Sequence, residues 1–252
     1  MMNKQRKTLV LLIISLIIIG CTNSNDNINE CNLNPDSELI KNKLVSAYNK
    51  SCKDCLKDIL DNWKNEFEPS TVIPDSLQDI YDVYKEMYSP WALERISNSE
   101  WGNDIYKDIS YYIIQDSINY DDKFREQSNN EFNTITEFRP KINNDTINTL
   151  YLNEDYEDAI NCFLGTYEFI AHTQEEKQLR YEFLNNYLQF FHGHWGNHWY
   201  LETHPEIYKM SFNKSKDSVQ VFFRIGYEGG EVFLGKNDTK WEIKDWKMTW
   251  IE

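Results

Sequence analysis

The fold is decided by two neighbouring stretches, TQEEKQLRYEFLNNYLQFF at residues 173–191 and EIYKMSFNKSKDSVQVFFRIGYEGGEVFLGKNDTKWEIKDWKMTWIE at residues 206–252. In the first stretch, Thr173 and Glu176 have the spacing of a capping box, in which both side chains satisfy free amide groups at a helix start. The apolar residues that follow recur every three or four positions and share one helix face: Leu179, Phe183, Leu184, Tyr187, Leu188 and Phe191. The pattern predicts a long amphipathic helix whose apolar face needs a partner.

The second stretch alternates apolar and polar residues, which is typical of strands with one buried face. The alternation covers residues 208–212 and 219–225, and residues 213–217 connect the two. Glu228-Gly229-Gly230 and Lys236-Asn237-Asp238 supply the next two reversals. Connections this short predict an antiparallel meander, and this sheet is the expected partner of the helix.

The last predicted strand changes the parity of its large apolar residues. Trp241 and Ile243 are at odd positions, whereas the next three are at even positions: Trp246, Met248 and Trp250. If both sets face the core, a β-bulge is needed near Lys244-Asp245, and a bulge bends a sheet. The C-terminal region is therefore predicted to be a bent antiparallel sheet closing over the long helix.

This order of elements, ending in W-x-I and W-x-M-x-W, resembles the cone-shaped domains of the NTF2-like group. The segments GYEGGEVFL, KWEI and TWIE are similar to the tails of uncharacterised bacterial lipoproteins. The resemblance covers about the last third of the chain. Some NTF2-like domains are enzymes and many only bind other molecules, so the resemblance implies a fold and no catalytic residue.

The rest of the chain indicates an α+β fold in which residues 36–100 are mainly helical and residues 101–252 are mixed. Apolar spacing predicts three early helices, the third capped by Asp75 with Gln78, and the apolar positions are Ile40, Leu44, Tyr48, Leu56, Ile59, Leu60, Trp63, Phe67, Leu77, Ile80, Tyr81, Tyr84 and Met87. Strands are predicted at residues 109–118, 134–138 and 149–152. Asn153 can cap a helix through Phe163, with Tyr156, Ile160 and Phe163 facing inward.

The start of the chain has the pattern of a secretory signal peptide. Lys4, Arg6 and Lys7 precede an apolar run from Leu9 to Ile19, which is short for the roughly 20 apolar residues of a membrane-spanning helix. The run ends in Ile18-Ile19-Gly20-Cys21, which resembles the lipobox of bacterial lipoproteins. The resemblance implies cleavage after Gly20 and attachment of a diacylglycerol, with palmitate-like chains, to Cys21. An ordinary signal peptide and an uncleaved anchor are the alternatives.

Composition defines the segment after the cleavage site and the surface of the protein. Residues 21–35 are rich in Asn, Ser and Asp, which predicts a lipidated, disordered tether before a globular region at 36–252. The full chain has a net charge of −15; without the three signal-peptide cations, 23 Lys and Arg oppose 41 Asp and Glu, a net charge of −18. Such a surface repels nucleic acids and anionic headgroups. We expect a bacterial envelope protein whose bilayer contact is the acyl group on Cys21, at the outer membrane or cell surface rather than the inner membrane.

Four cysteines besides Cys21 are candidates for disulfides: Cys31, Cys52, Cys55 and Cys162. An even number in an oxidising compartment predicts two bonds with three alternative pairings. Cys52 and Cys55 also have the spacing of thiol redox motifs, but these need a strand before the first cysteine and a helix that starts at it, whereas here a predicted helix precedes it. The interpretation is therefore structural, with Cys31 pinning the first helices to one of this pair.

Four of the five histidines are close together in the sequence, at positions 192, 194, 198 and 204. His192, His194 and His198 are the candidate ligands for zinc or copper, because neutral imidazole binds both metals and three rings within seven residues can converge. The alternatives are a helix C-terminus, where a histidine cation meets the helix dipole, and a packed corner with Trp195 and Trp199. No motif for any other cofactor is present.

Two further patterns concern glycans. Aromatic residues make up 15% of the chain, and Trp or Tyr can stack on sugars or anchor a protein partner, although the inward phases above predict that most are core. Four Asp-Ser/Thr-aliphatic triplets resemble the acceptor of a bacterial O-glycosylation system, at Ser76, Ser117, Thr146 and Ser218. Intact mass of the native protein checks the modification.

The sequence contains no G-x-S-x-G, P-loop or G-x-G-x-x-G motif, which removes the common hydrolase and nucleotide-binding classes. The first hypothesis is an envelope lipoprotein whose body is a non-catalytic module that binds a protein, small molecule or glycan. The second is an envelope metal-binding protein or hydrolase that uses the corner from His192 to His204. The third is an immunity or inhibitor protein held at the envelope.

Overall fold

The computed structural model describes residues 31–98, 103–124, 131–142, 148–166, 172–193 and 199–252. Its α-helices are α1 (Pro35–Asn49), α2 (Lys53–Glu66), α3 (Gln78–Met87), α4 (Glu154–Leu164) and α5 (Gln174–Leu184), with short 3-10 turns at Asp75–Leu77, Leu93–Arg95 and Asn103–Tyr106. Its strands are β1 (Tyr111–Ile114), β2 (Ile118–Asp121), β3 (Asn133–Ile135), β4 (Asn148–Tyr151), β5 (Phe191–His192), β6 (Trp199–Tyr200), β7 (Glu206–Phe212), β8 (Ser218–Ile225), β9 (Glu228–Asn237) and β10 (Lys240–Ile251). The predicted α+β class is confirmed.

The main sheet has the strand order β10-β9-β8-β7-β2-β3. Strands β7 to β10 form the predicted antiparallel meander, and β2 joins β7 in parallel. The strand predicted at 109–118 is instead two strands in different sheets, because β1 pairs with β4 and β2 with β7. Gln115 explains the break. Its side-chain amide donates to the Ile207 carbonyl and accepts the Ile207 N–H, so at this point a side chain replaces the backbone pairing of a continuous strand.

The predicted bulge is confirmed by a register shift between Ile243 and Asp245, and it lets Trp241 and Trp246 pack on the same core. A second shift, between Met248 and Trp250, was not predicted. It places Trp250 beside Gly229 on the outer face of the sheet, where a Cβ on Gly229 would lie 1.9 Å from the indole Cε2. Trp250 therefore does not share the core-facing side of Trp246, contrary to the prediction.

The reversal predicted at Glu228-Gly229-Gly230 lies two residues earlier. The turn is Gly226-Tyr227, and Glu228 already pairs with Ile225 in the ladder. Gly226 has a φ of 58°, a left-handed conformation that glycine adopts without steric cost. The two later glycines are strand residues whose missing side chains admit the neighbouring rings.

The helix over residues 173–191 is shorter than predicted. The Thr173 hydroxyl accepts the Glu176 N–H at 3.2 Å, as the capping box predicts, but α5 ends at Leu184. Asn186 explains the end, because its side-chain amide donates to the carbonyl oxygens of Glu182 and Phe183 at 3.2 and 2.7 Å. Leu179, predicted to face inward, is 48% exposed.

The helix that packs on the sheet is α3, and this corrects the prediction for α5. Buried residues of α3 share one core with the inward faces of β7 to β10: Ile80, Tyr81, Val83, Tyr84 and Met87. The buried end of α5, Phe183 and Leu184, instead belongs to a second core with α1, α2 and α4. The NTF2-like cone is accordingly not confirmed.

Helix α4 matches its prediction and is held by the second core. The Asn153 side chain caps it by accepting the Tyr156 N–H at 3.1 Å. The ring of Tyr156 stacks on the fully buried Trp63 of α2 at 4.2 Å, and the Trp63 indole donates to the Tyr151 carbonyl at 2.9 Å. These contacts fix α4 against α2 and β4, which matters because α4 carries two residues of the site below.

The described structure begins at Cys31, so the last five residues assigned to the tether, 31–35, fall within it. Cys31 forms a disulfide with Cys162, and the Asn34 side chain caps α1 by accepting the N–H groups of Asp36 and Ser37 at 2.9 Å. Residues 31–35 are therefore not part of a disordered tether. The signal peptide, Cys21 and the rest of the predicted tether lie outside the described residues. No helix within the described ranges is long and apolar enough to cross a membrane.

Candidate ligand-binding cleft

A cleft of about 330 Å³ opens between α4, the segment that follows β6, and the outer face of β8. Eight residues line it: Glu157, Asn161, Thr166, Trp199, Tyr200, Leu201, Glu202 and Arg224. They come from distant parts of the sequence, and the two cores described above bring them together. We define this set as the Glu202 cleft.

One wall of the Glu202 cleft is formed by one face of α4 and the residue after its C-cap. Glu157 and Asn161 are four residues apart and therefore share a helix face. The helix ends at Gly165 in the left-handed conformation (φ 72°), and the Thr166 hydroxyl turns back to the Asn161 carbonyl at 3.0 Å. This C-cap fixes the position of Thr166 at the rim.

The opposite wall is organised around Arg224. Its Nε and one terminal nitrogen both donate to the same carboxylate oxygen of Glu206, at 3.0 and 2.6 Å. Its guanidinium group also lies over the Tyr200 ring, 4.0 Å from the centroid, and the Tyr200 hydroxyl donates to Glu252 at 2.9 Å. The positive charge of Arg224 is thus already committed to Glu206.

Glu202 lines the cleft with its side chain half-buried, and no described cationic side chain forms an ion pair with it. Burial, followed by the carboxylates of Glu206 and Glu157, raises the pKa of Glu202 to about 8, against a smaller opposing effect of Arg224. Neither Glu202 nor Glu157 forms an ion pair within the described part of the chain. The protonated, neutral form of Glu202 is therefore favoured near neutral pH.

Glu157 lies at the mouth of the cleft, where part of its side chain is packed against the protein and the rest is exposed. Partial burial, followed by neighbouring carboxylates such as Asp158 and Asp116, raises its pKa as well. The two glutamates therefore face one cavity, and both have environments that disfavour negative charge. A group that brings positive charge would be stabilised there.

A second cavity, of about 200 Å³ between α3 and β2, is also lined by carboxylates, Asp79, Asp121 and Asp122, and the first two are paired. Asp121 lies 2.7 Å from the Lys209 ammonium, and Asp79 lies 2.6 Å from that of Lys236. The lysine contact, acting against burial, keeps the pKa of Asp121 below its ordinary value. Compensated carboxylates of this kind serve the fold, so the Glu202 cleft is the better candidate for a ligand.

Of the candidate metal ligands, only His192 lies in a described segment; His194 and His198 do not. His192 is exposed on β5, with its Nδ1 at 2.7 Å from the Gly193 carbonyl oxygen and its ring 5.0 Å from that of Trp199. Within the described ranges, no three His, Cys, Asp or Glu side chains are placed to hold a metal ion. The metal site remains a prediction.

His204, the fourth histidine of the sequence cluster, is fully buried. Its Nε2 accepts the Gly226 N–H at 2.8 Å, and its ring lies 4.6 Å from that of Phe191. Burial and the charge of Arg224 lower the pKa of His204 to about 3, so the ring stays neutral. Its role is to hold the β8–β9 turn against the segment that carries Glu202.

The disulfides correct one expectation about the cysteines. Cys31 pairs with Cys162 of α4, whereas Cys52 pairs with Cys55, so Cys31 does not pin the helices to the second pair. Helix α1, rather than a strand, precedes Cys52, as predicted, but a helix also starts there. Cys52 caps α2, and its sulfur accepts the Cys55 N–H at 3.1 Å, so a helix does start at the first cysteine.

Three of the four predicted glycosylation acceptors are in described segments. Ser76 and Ser117 are exposed, whereas Ser218 is half-buried and its hydroxyl donates to Asp217 at 3.0 Å. Thr146 lies outside the described residues. The modification remains a prediction at all four positions.

The sequence pointed to Trp199 and the histidines near it but missed the cleft. Glu157, Glu202 and Arg224 show no local pattern, because each comes from a different element and a chain with 41 acidic residues offers many equivalent glutamates. A scan of protein-family models, of curated proteins and of solved structures finds no match to this chain.

Proposed function

We propose that this protein is a non-catalytic binding module of the bacterial cell envelope, held to a membrane by lipid on Cys21, and that it binds its ligand in the Glu202 cleft. The observation that carries the proposal is the cleft itself, a cavity of about 330 Å³ lined by a carboxyl group that forms no ion pair with any described residue. A pocket with a few convergent polar groups and a perturbed pKa is the general signature of a ligand site. Trp199 and the amide of Asn161 add stacking and hydrogen-bonding surface.

The proposed lipid anchor limits how far the cleft can lie from the membrane. Each buried methylene of an acyl chain contributes about 0.8 kcal/mol, so two or three chains on Cys21 hold the protein at the membrane. Ten residues separate Cys21 from Cys31, where the described fold begins, and at full extension they reach about 35 Å. The module would therefore work close to the bilayer surface.

The anchor is tested with Cys21→Ser in the producing bacterium. We expect the wild-type protein to carry acyl groups by intact mass and to remain with membranes after high-salt washing. The variant should lose the acyl mass and leave the membrane fraction, because only the thiol accepts the lipid. Unchanged fractionation of the variant would refute the anchor and leave the cleft to be judged separately.

The cleft is tested by filling it. Asn161→Trp places a large side chain in the cavity, and Asn42→Trp on the exposed face of α1 is the matched control. Isothermal titration of the mature protein in detergent would use agmatine, N-acetylglucosamine, citrate, a neutral tripeptide and Zn²⁺ as probes. We expect at least one probe to bind the wild type and the control, and its affinity to fall at least tenfold in Asn161→Trp.

Two outcomes contradict the assignment of the cleft. In one, none of the five probes binds the wild-type protein. In the other, a probe binds equally well to Asn161→Trp and to the wild type, which would place its site elsewhere. Circular dichroism of both tryptophan variants establishes that α4 and α1 are intact before the comparison is made.

A further inference from the structure

We propose that the ligand of the Glu202 cleft is an organic cation, a primary amine or a guanidinium group, that binds between Glu157 and Glu202. This inference rests on the proposed function, because it assigns the ligand class of the same cleft. The geometry that supports it is the presence of two carboxyl groups on the walls of one cavity, neither of them in an ion pair within the described residues.

The charges around Glu202 are unbalanced. Glu157 faces it from α4, Glu206 from β7 and Arg224 from β8, and Glu252 at the end of the chain lies 3.9 Å from Arg224. In the part of the chain that the structure describes, four carboxyl groups and one guanidinium group thus lie at or beside the cleft. Tyr200 adds no positive charge, and His204 is neutral behind the wall. An anion would meet repulsion here, and a neutral sugar would leave the imbalance unchanged.

Arg224 cannot supply the missing charge. Its guanidinium makes two contacts with one Glu206 oxygen and lies on the Tyr200 ring, so turning it toward Glu202 would break all three contacts. Among the described residues, none places a second cation opposite Glu202, so a group from outside the chain can take that position. The half-buried Trp199 at the rim can add a cation–π contact to such a group.

An organic cation fits better than a metal ion. The cleft offers two unpaired carboxyl groups with the amide of Asn161 and the hydroxyl of Thr166, which match the several N–H donors of an ammonium or guanidinium group. The described side chains do not converge as three His, Cys, Asp or Glu ligands. The net charge of −15 also draws cations toward the surface.

Binding of a cation is expected to release a proton from Glu202. The free carboxyl is protonated at pH 7, and a cation beside it favours the ionised form, so its proton passes to the buffer as the complex forms. The affinity should therefore rise with pH, by up to about tenfold per pH unit, until pH reaches about 8. Above that pH the free carboxyl is already ionised and the dependence levels off.

The probe is agmatine, which has a guanidinium group at one end and a primary amine at the other. Titration calorimetry at pH 7 in phosphate and in Tris, whose ionisation enthalpies differ, counts the protons released. We expect close to one proton per agmatine for the mature protein. Glu202→Gln should abolish the release and weaken binding by about 10- to 100-fold, because a charge-assisted hydrogen bond becomes a neutral one.

The matched control is Glu242→Gln, which also replaces a glutamate by glutamine. Glu242 is near the start of β10, and the cleft is near the other end of that strand. Glu242 is eight strand positions from Trp250, about 25 Å, and its partner is the exposed Lys244. This variant should bind agmatine and release the proton as the wild type does. Glu202→Gln should fold normally, because glutamine resembles the protonated acid that the free protein holds at pH 7.

The outcomes separate this inference from the proposed function. If N-acetylglucosamine, citrate, the tripeptide or Zn²⁺ binds in the cleft and agmatine does not, the cleft is a ligand site and the cation inference is wrong. If agmatine binds without proton release, or Glu202→Gln binds it as tightly as the wild type, the cation does not sit at Glu202 and the inference also fails. If no probe binds, both proposals fail together.

Discussion

Replacing Cys31 with serine should lower the free energy of unfolding by about 3–5 kcal/mol, measured by urea denaturation with tryptophan fluorescence. The disulfide from Cys31 to Cys162 spans 131 residues, and in the loop-entropy view a crosslink of that length greatly restricts the unfolded chain. Residues between the two cysteines include α1, α2, α3 and four strands. The effect should therefore appear as a loss of global stability rather than local fraying.

The matched control is the double variant Cys52→Ser and Cys55→Ser. That disulfide spans three residues, so the same relation gives it only about 2 kcal/mol. The difference between the two variants is the test, because both remove one bond and replace sulfur by oxygen. Equal losses in the two variants would show that chain entropy does not explain the stabilisation by Cys31.

The second large effect concerns pH, and it comes from Glu202. The folded state holds a proton on this carboxyl up to about pH 8, whereas an ordinary glutamate, as in the unfolded chain, releases it near pH 4.5. The folded state is therefore favoured at low pH, and its advantage falls as pH rises from about 4.5 to about 8. Ionisation of Glu202 therefore lowers the free energy of unfolding in mild base, whereas in acid the protonated side chain has no such effect.

Glu202→Gln should remove this pH dependence. At pH 8 we expect the variant to be more stable than the wild type by on the order of 2 kcal/mol, less than the full shift implies because part of the side chain is open to water. At pH 5 the two proteins should unfold at nearly the same urea concentration. Parallel stability curves from pH 5 to pH 8 would contradict the described environment of Glu202.

The local features of the fold could be predicted because short-range chemistry determines them. The caps at Asn153 and Thr173 follow from side chains that accept nearby N–H groups, and the structure has both. The bulge near Lys244 follows from the parity of tryptophans along one strand, because a single register cannot bury both Trp241 and Trp246. Such signals need only a few residues of context.

The failures have causes that apolar spacing does not show, one of them local and the others long-range. The end of α5 depends on Asn186, whose amide competes for backbone carbonyls, and apolar spacing alone could not show that. The break in residues 109–118 depends on Gln115 meeting Ile207, which is 92 residues away. The helix that covers the sheet is α3. The apolar faces of α3 and α5 could each have packed on the sheet, and only the tertiary structure shows which one does.

The cleft could not be predicted from the sequence, because contacts between distant residues determine its chemistry. Its chemistry depends on which glutamates lack a cation, and that is decided by the commitment of Arg224 to Glu206 across two strands. The histidine pattern at residues 192–204 pointed to the right neighbourhood, since Trp199 and Glu202 lie there. It pointed to a different chemistry, which remains to be tested with elemental analysis and the variants His194→Ala and His198→Ala.

The most direct measurement of the central claim is the titration of the Glu202 carboxyl in the free protein, followed by carbon-13 NMR and assigned with Glu202→Gln. An uncompensated carboxyl in the cleft should titrate near pH 8 and move to a lower pH when agmatine is added. A titration midpoint of Glu202 near pH 4.5, unchanged by agmatine, would contradict the account. It would show that the free carboxyl is not protonated at neutral pH and that no cation binds beside it.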